Sequence, residues 1–241
     1  MNILILGDGL FARNLGNKLK LSHHYDKHFA IPAIDENQAL EPILKIALND
    51  ENGIVYFCVE QKTDVVVIAN VDGLANGLYN KLKNNPLLKR VIIIGASSET
   101  VEFLTNVNSL NNFIIENNIP LSKNKSTEFE VDKIEQIVIL TNGNAFKILN
   151  DISSNDIQQI EQKIITPTLN GLLTKSFLIS GFLCCNIIRK DEFFELINYQ
   201  FVIDDKVAKL IFERLETDVL SLFAAMDNGT LEDVNIEFFE K

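Results

Sequence analysis

Residues 2–12 read NILILGDGLFA, so a short apolar run leads directly into two closely spaced glycines. The run at residues 2–6 has the composition of a buried β-strand, and a helical pattern of leucines follows the glycines. Gly7, Gly9 and Ala12 keep a G-x-G-x-x-A spacing between the two elements. This stretch predicts a strand–turn–helix unit that opens an α/β domain.

Such a turn is suited to binding a diphosphate. The first glycine permits a tight turn, the second lets the backbone approach the ligand, and a small third residue lets the helix pack on the strand. The helix N-terminus then presents unpaired N–H groups to the phosphates. We therefore expect NADH or NADPH to bind at Gly7, Gly9, Leu10, Phe11 and Ala12; an ordinary turn that binds no nucleotide is the alternative.

An acidic residue after the second predicted strand bears on the choice of cofactor. Asp35 stands where a carboxylate binds the ribose hydroxyls of NAD, although the same residue is equally suited to cap a helix. Arg13, Lys27 and His28 carry charge suited to a 2′-phosphate. The preference between NADH and NADPH therefore stays open.

Two further positions follow predicted strands. Asn70 ends the run DVVVIAN, and Gly95 follows the run VIII. Ligands of parallel sheets gather at the carboxyl ends of the strands, so both positions are predicted to contact the cofactor, and Asn70 also the substrate. A turn asparagine would look the same.

The first half of the chain alternates between β-rich and helix-rich segments, which is typical of a parallel sheet covered by helices on both faces. The second half reads almost entirely as helix. We therefore predict an α/β fold with a Rossmann-type doubly wound, mostly parallel sheet in residues 1–143 and a smaller all-helical domain in residues 144–241. The predicted strands are 2–6, 29–34, 54–59, 65–69 and 91–94, with closing strands near 113–121 and 134–140, and the predicted helices of the second domain are 145–152, 155–164, 169–188, 192–199 and 206–225.

Composition excludes several classes of function. The formal net charge is −11, which argues against binding of nucleic acids or anionic membranes. Cys58, Cys184 and Cys185 form no CxxC pair, so we expect neither a zinc site nor disulfides, and free thiols fit a cytoplasmic location. The chain shows no secretory signal pattern at its start.

The longest apolar stretch is SFLISGFLCCNII, at residues 176–188. Its thirteen residues are fewer than the roughly twenty that cross a bilayer, so no membrane span is expected. The stretch predicts a buried helix, which forms either the core of one chain or the seam of a homodimer.

The segment SLFAAMDNGTLEDVN resembles a motif of ketopantoate reductases, which belong to the 6-phosphogluconate and β-hydroxyacid dehydrogenase superfamily. Ser221 matches the serine that opens the motif, Gly229 matches its glycine, and Asp233 falls on its catalytic glutamate. Glu232 beside it is an alternative carboxylate. Ala225 and Thr230 depart from the motif's aspartate and arginine.

The resemblance also implies a lysine followed four residues later by an asparagine. Lys175 fits the lysine, whereas Ile179 stands at the asparagine position. Asn186 shares the Lys175 face of a predicted helix and is a substitute, as are Asn170 and Ser176.

The resemblance implies reduction of 2-dehydropantoate to pantoate, a precursor of pantothenate, with NADPH or NADH. Lys175 would act as the acid, Asp233 or Glu232 would orient it, and Ser221 with Asn186 or Asn70 would bind the oxo-acid substrate. The alternatives are a dehydrogenase of another small oxo or hydroxy acid and a non-catalytic nucleotide-sensing module.

Overall fold

A computed structural model describes residues 1–31, 46–122, 134–190 and 193–240. The described strands form one mixed sheet in the order β2-β1-β3-β4-β7-β5-β6, with β8 paired to β7. The strands are β1 (Asn2–Leu6), β2 (Lys27–Ile31), β3 (Val65–Ile68), β4 (Ile92–Ala96), β5 (Ile134–Thr141), β6 (Phe146–Ile148), β7 (Ile179–Lys190) and β8 (Phe193–Gln200).

The first four strands form the parallel half of the sheet. Strand β1 pairs in parallel with β2 and β3, and β3 pairs in parallel with β4. The predicted strands 2–6, 65–69 and 91–94 are confirmed, and β2 covers the described part of 29–34. The helices of this half are α1 (Leu10–Leu19), α2 (Glu51–Glu60), α3 (Val71–Ala75), α4 (Leu78–Asn84), α5 (Ser98–Thr105) and α6 (Val107–Glu116).

The last four strands form the antiparallel half. Strand β7 runs antiparallel to β4, β5 and β8, and β5 forms a hairpin with β6. The remaining elements are α7 (Ser154–Ile160), a π-helical stretch (Glu161–Ile165), α8 (Thr166–Thr174), α9 (Asp205–Arg214), α10 (Val219–Asn228) and a 3-10 helix (Leu231–Asp233).

The predicted fold class, a Rossmann-type doubly wound sheet followed by an all-helical domain, is therefore wrong, because residues 144–241 contribute antiparallel strands to the same sheet. The run at 176–188, predicted as a buried helix, is mostly β7, whose residues are buried almost continuously. An apolar run without periodicity fits a central strand as well as a buried helix. Residues 193–200 form β8, where a helix was predicted, and their buried positions alternate with partly or fully exposed ones except at Ile197 and Asn198.

Other boundaries differ for local reasons. Residues 54–59, predicted as a strand, lie in α2, where the Asp50 side chain accepts a hydrogen bond from the Gly53 amide and caps the helix. The first four residues of the predicted strand 113–121 lie in α6, a helix capped by Asn106, and the rest follow its C-terminal end. The predicted helix 145–152 contains β6, and the predicted helix 206–225 is divided into α9 and α10.

Two glycines join the halves of the sheet. A Cβ atom on Gly181 of β7 would lie 2.8 Å from the backbone nitrogen of Gly95 in β4, so this close approach requires a glycine. The sheet runs without a break past the predicted boundary at residues 143 and 144. The division into two domains stays a prediction about independent folding.

The core lies on both faces of the sheet. Ile3 and Ile5 pack in one hydrophobic cluster and Leu4 and Leu6 in the other, because successive side chains of a strand point to opposite faces. Helices α1, α9 and α10 cover the first face, and α2, α4, α6 and α8 contribute to the second.

The three cysteines are buried and carry free thiols. Cys58 lies in α2, while Cys184 and Cys185 lie in β7. Burial raises the pKa of Cys58 to about 11 and that of Cys185 to about 12, and raises the pKa of Cys184 well above its ordinary value.

Candidate functional site

The glycine turn connects β1 to α1 at the carboxyl edge of the parallel strands. Gly7 has a φ of 152°, and a Cβ atom there would lie 2.5 Å from the Ala69 carbonyl oxygen of the neighbouring chain segment. The amide of Gly7 donates to the Ile31 carbonyl oxygen at 2.9 Å. Gly7 is thus explained by packing within the sheet.

Gly9 differs from Gly7 in its surroundings. It caps α1 with a φ of −71° and no side-chain hydrogen bond, and a Cβ atom there would meet none of the described residues within 4 Å beyond its chain neighbours. The first hydrogen bond of the helix joins the Arg13 amide to the Gly9 carbonyl oxygen, so the amides before Arg13 have no partner within the helix. The exposed segment Asp8 to Leu10 therefore leaves its main chain open to a ligand.

Helix α1 is held against the antiparallel half. The ring of Phe11 lies edge-on to Phe182 of β7, with centroids 5.5 Å apart, and stacks with Phe212 of α9 at 6.3 Å. Lys18, which is 7% exposed, donates from Nζ to the Leu215 carbonyl oxygen at the end of α9. Burial lowers the pKa of the Lys18 ammonium. The turn is thus fixed relative to both halves of the sheet.

Two cavities lie near Asn70, which follows β3. One, of about 340 Å³, is lined by Asn70, Asp72 and Gly73 of this edge together with Glu51 and Lys81. The last two form an ion pair at 3.6 Å. Asn70 also caps α3, since its Oδ1 accepts from the Gly73 amide at 2.7 Å.

The second cavity, of about 430 Å³, lies between the two halves. It is lined by Val71 and Thr105 of the parallel half and by residues 199–205, which end β8 and begin α9. The buried hydroxyl of Tyr199 is 2.5 Å from that of Thr168, and burial raises the pKa of Tyr199 well above its ordinary value. Asp204 and Asp205 are exposed carboxylates of this cavity. We call it the inter-half cleft.

Four amide side chains connect the strands beside this cleft. Gln136 of β5, Asn186 of β7 and Asn198 of β8 occupy facing positions on adjacent strands. The Gln136 Nε2 donates to Asn186 Oδ1 at 3.1 Å and to Gln200 Oε1 at 2.7 Å, and Asn186 Nδ2 donates to Asn198 Oδ1 at 2.7 Å. We call these four residues the amide ladder.

Of the predicted substrate-binding residues, Asn186 belongs to the amide ladder and Asn70 to the glycine-turn edge. Ser221 lies on α10 and donates from Oγ to Asp218 Oδ2 at 3.0 Å. Gly229, from the same motif, ends α10 with a φ of 74°. A binding role for these residues stays a prediction.

The predicted catalytic residues lie apart in the fold. Lys175 ends α8, pairs with Glu116 of α6 at 3.0 Å and lies 5.7 Å from the Phe103 ring centroid. Glu232 and Asp233 are exposed in the 3-10 helix, where the Glu232 carbonyl oxygen accepts from Lys147 Nζ at 2.8 Å. These contacts explain Lys175 and Glu232 structurally and leave their catalytic roles untested.

The remaining predicted cofactor residues have different outcomes. Gly95 is buried in β4, where a Cβ atom would lie 3.0 Å from Leu74, so it also has a packing reason. Leu10, Phe11 and Ala12 begin α1, and of these three only Leu10 is exposed. Asp35 lies outside the described residues.

Sequence reasoning missed Gln136, Asn198 and Gln200. The alternation of Asn198 and Gln200 with buried neighbours was the available signal, but it was hidden once residues 192–199 were assigned to a helix.

Within the described ranges, no group of three or more His, Cys, Asp or Glu side chains is placed to hold a metal ion. No helix of the described residues is long and apolar enough to span a bilayer.

Comparison with known proteins gives a consistent fold. No family model matches the chain. A phosphoribosylamine–glycine ligase of Rhizobium meliloti (strain 1021) is 28% identical over 82 residues, which cover 34% of this chain and 19% of that protein. The match is thus confined to a part of each protein.

Solved structures match nearly the whole chain. The phosphoribosylamine–glycine ligase of Thermotoga maritima has a TM-score of 0.62 and 14% identity, covering 96% of this chain and 75% of that one. The urea amidolyase of K. lactis has a TM-score of 0.61 and 11% identity, covering 98% of this chain and 15% of that one. The chain therefore spans less than a third of the length of the first proteins it matches, the R. meliloti ligase and the urea amidolyase.

The similarity to these ligases and to the urea amidolyase overturns the reductase interpretation. The resemblance to ketopantoate reductases is wrong, and with it the predicted NAD(P)-dependent oxidoreductase, the NADPH or NADH cofactor and the role in pantothenate synthesis. The matched motif at 221–233 forms most of α10 and the following 3-10 helix. The glycine turn does not support the reductase interpretation either, because a glycine turn after a strand does not by itself select a dinucleotide. The fold of this chain is a mixed sheet similar to the solved phosphoribosylamine–glycine ligase and urea amidolyase.

Proposed function

We propose that this protein binds a phosphorylated small molecule, of the kind handled by a phosphoribosylamine–glycine ligase, with its phosphate at the glycine turn. The observation that carries the proposal is the open main chain at Gly9, where a Cβ atom would have no atom of the described residues within 4 Å beyond its chain neighbours. The similarity to two phosphoribosylamine–glycine ligases supports it.

The chemistry of the turn supports an anionic ligand. Unpaired amides at a helix N-terminus and the positive end of the helix dipole both favour phosphate. The first turn of α1 contains no acidic residue. The cavity beside Asn70 adjoins the same edge of the sheet and offers amide and carboxylate groups to the sugar hydroxyls of such a ligand.

A titration calorimetry experiment with the glycine amide of phosphoribosylamine tests this proposal. Ribose 5-phosphate and inorganic phosphate serve as partial ligands. We expect saturable binding that weakens in the order amide, sugar phosphate, phosphate, because each step removes contacts beyond the phosphate group.

The matched variants are Gly9→Val and Asn112→Ala. Gly9 has a φ of −71° and open space, so valine is expected to leave the fold intact while blocking the approach of the ligand to the main chain. Affinity should fall at least about tenfold, which corresponds to roughly 1.4 kcal/mol. Asn112, exposed on α6, should change nothing. Equal affinity in wild type and Gly9→Val would contradict the proposal.

The second candidate function is ATP-dependent joining of an amine to a carboxylate. The sequence match to a phosphoribosylamine–glycine ligase favours it. Release of ADP that depends on glycine, phosphoribosylamine and Mg²⁺ would establish it, and a chain that releases no ADP above background would exclude it.

Location and assembly are also proposals. Three buried free thiols support the cytoplasmic location expected from the sequence. Most of the run at 176–188 lies in β7, buried beside β4, β5 and β8, which supports its placement in the core over a dimer seam. A homodimer built on another surface stays a prediction that light scattering tests.

A further inference from the structure

The amide ladder uses its polar groups internally. Asn186 Oδ1, Asn198 Oδ1 and Gln200 Oε1 each accept a hydrogen bond from another member of the ladder. The fourth oxygen, Gln136 Oε1, accepts from the Asp204 backbone amide at 2.8 Å. All four amide oxygens are therefore occupied by protein donors.

The occupied oxygens matter because the second candidate function requires ATP and Mg²⁺. Mg²⁺ binds carboxylates together with substrate phosphates, and triphosphates are further stabilised by lysine or arginine. Neutral amides that are already hydrogen-bonded provide neither charge nor free lone pairs of comparable strength.

The charges of the inter-half cleft have the opposite sign from what a triphosphate needs. The described residues that line it include two carboxylates, Asp204 and Asp205, and neither lysine nor arginine. Both carboxylates are exposed at the start of α9, where the helix dipole stabilises them. The two carboxylates are groups that Mg²⁺ binds, but the described lining offers a triphosphate neither lysine nor arginine.

We infer that the inter-half cleft of this chain does not fit a metal–nucleotide complex, and that ligand binding at the glycine turn is independent of ATP and Mg²⁺. The amide ladder instead holds β5, β7 and β8 in register beside the cleft. The second part of the inference rests on the proposed function, because it concerns the ligand of the glycine turn. The inference as a whole argues against the second candidate function, which requires ATP and Mg²⁺.

The experiment has two separate titrations of the full chain. In the first, Mg²⁺-ATP is titrated by calorimetry and Mn²⁺ by electron paramagnetic resonance, with no other ligand present. We expect no saturable binding; a Kd below about 100 µM for either would overturn the inference. In the second, the glycine amide of phosphoribosylamine is titrated with and without 5′-ATP and Mg²⁺, and an affinity changed more than about threefold would overturn it.

The two titrations separate the proposals. If the amide binds in neither condition, the proposed function fails while the direct titrations of Mg²⁺-ATP and Mn²⁺ still decide the inference about the cleft. If the amide binds equally in both conditions, both proposals are supported.

A charged variant provides a positive control for the metal measurement. Asn186 and Asn198 are joined by a 2.7 Å hydrogen bond, so Asn186→Asp with Asn198→Asp places two carboxylates in contact. Mn²⁺ should raise the Tm of this double variant and leave that of wild type and of Asn198→Ala unchanged. A comparable rise of Tm in wild type would show that the native amides already bind the ion and would overturn the inference.

Discussion

At the carboxyl edge of the parallel strands the main-chain amides near Gly9 are open, whereas on the antiparallel strands the side-chain amides of the ladder bond to one another. The first arrangement leaves donors for a ligand. The second leaves a rigid, neutral surface. Polar groups on one continuous sheet are thus exposed in one half, where we propose that they bind a ligand, and bonded to each other in the other half. The difference is whether a protein acceptor lies within hydrogen-bonding distance.

The largest expected effect comes from breaking the junction between the halves. Gly181→Val places a side chain within about 3 Å of the Gly95 backbone, which cannot move without displacing β4. We expect the free energy of unfolding to fall by about 3 kcal/mol or more. Urea denaturation measures it, with Gly9→Val as the control that should stay near wild type. Similar stabilities for the two variants would show that the junction is not closely packed.

A smaller loss is expected from the amide ladder. Gln136→Leu removes bonds to Asn186 and Gln200 and leaves the Asp204 amide without its acceptor. Unpaired buried polar groups cost about 1–3 kcal/mol, so unfolding should become easier by about that amount. The exposed Gln158→Leu on α7 is the control. An unchanged urea midpoint for Gln136→Leu would mean that the ladder contributes little to register.

Mild acid should lower the stability of the protein through protonation of His28, which lies in β2 of the parallel half. Burial lowers the pKa of His28 below its ordinary 6.5, so the unfolded chain takes up this proton first as the pH falls. The contribution of neutral His28 to stability is therefore fully present above pH 6.5, and it is lost as the pH falls from there through the pKa of the folded state. Tm measured between about pH 7.5 and 5 should fall less in His28→Gln than in wild type or the His23→Gln control. Parallel curves for all three proteins would remove His28 from this role.

The smallest expected effect tests whether the ligand of the glycine turn is negatively charged. Asp8 is an exposed carboxylate within the glycine turn. Asp8→Asn should raise the affinity for a phosphate ligand about two- to fivefold, and added salt should reduce the difference. A loss of affinity would instead indicate that the carboxylate itself contacts the ligand, through a hydroxyl or a cationic group.

The parallel half was largely predictable from sequence because its strands are short apolar runs separated by periodic helices. The glycine turn, β1, β3 and β4 follow from local pattern alone. The antiparallel half was not predictable, because its central strand β7 is buried on both faces and its sequence shows no alternation of apolar and polar residues. Only long-range pairing with β5 and β8 decides that it is a strand.

The candidate site divides in the same way. The exposed turn at Gly9 was found from the spacing of glycines, which depends on neighbouring residues only. The amide ladder joins positions that are 50 residues apart, between Gln136 and Asn186, and 64 residues apart, between Gln136 and Gln200. No local sequence pattern indicates such contacts, so the amide ladder could be recognised only from the structure.

The positions of the cysteines allow the opening of each half to be measured separately. Cys58 is buried in the parallel half, and Cys184 with Cys185 in the antiparallel half. Because each thiol is shielded and protonated near neutral pH, a thiol reagent modifies it only in molecules whose surrounding structure has opened. Reaction rates at the two places therefore reveal whether the halves open together or one before the other.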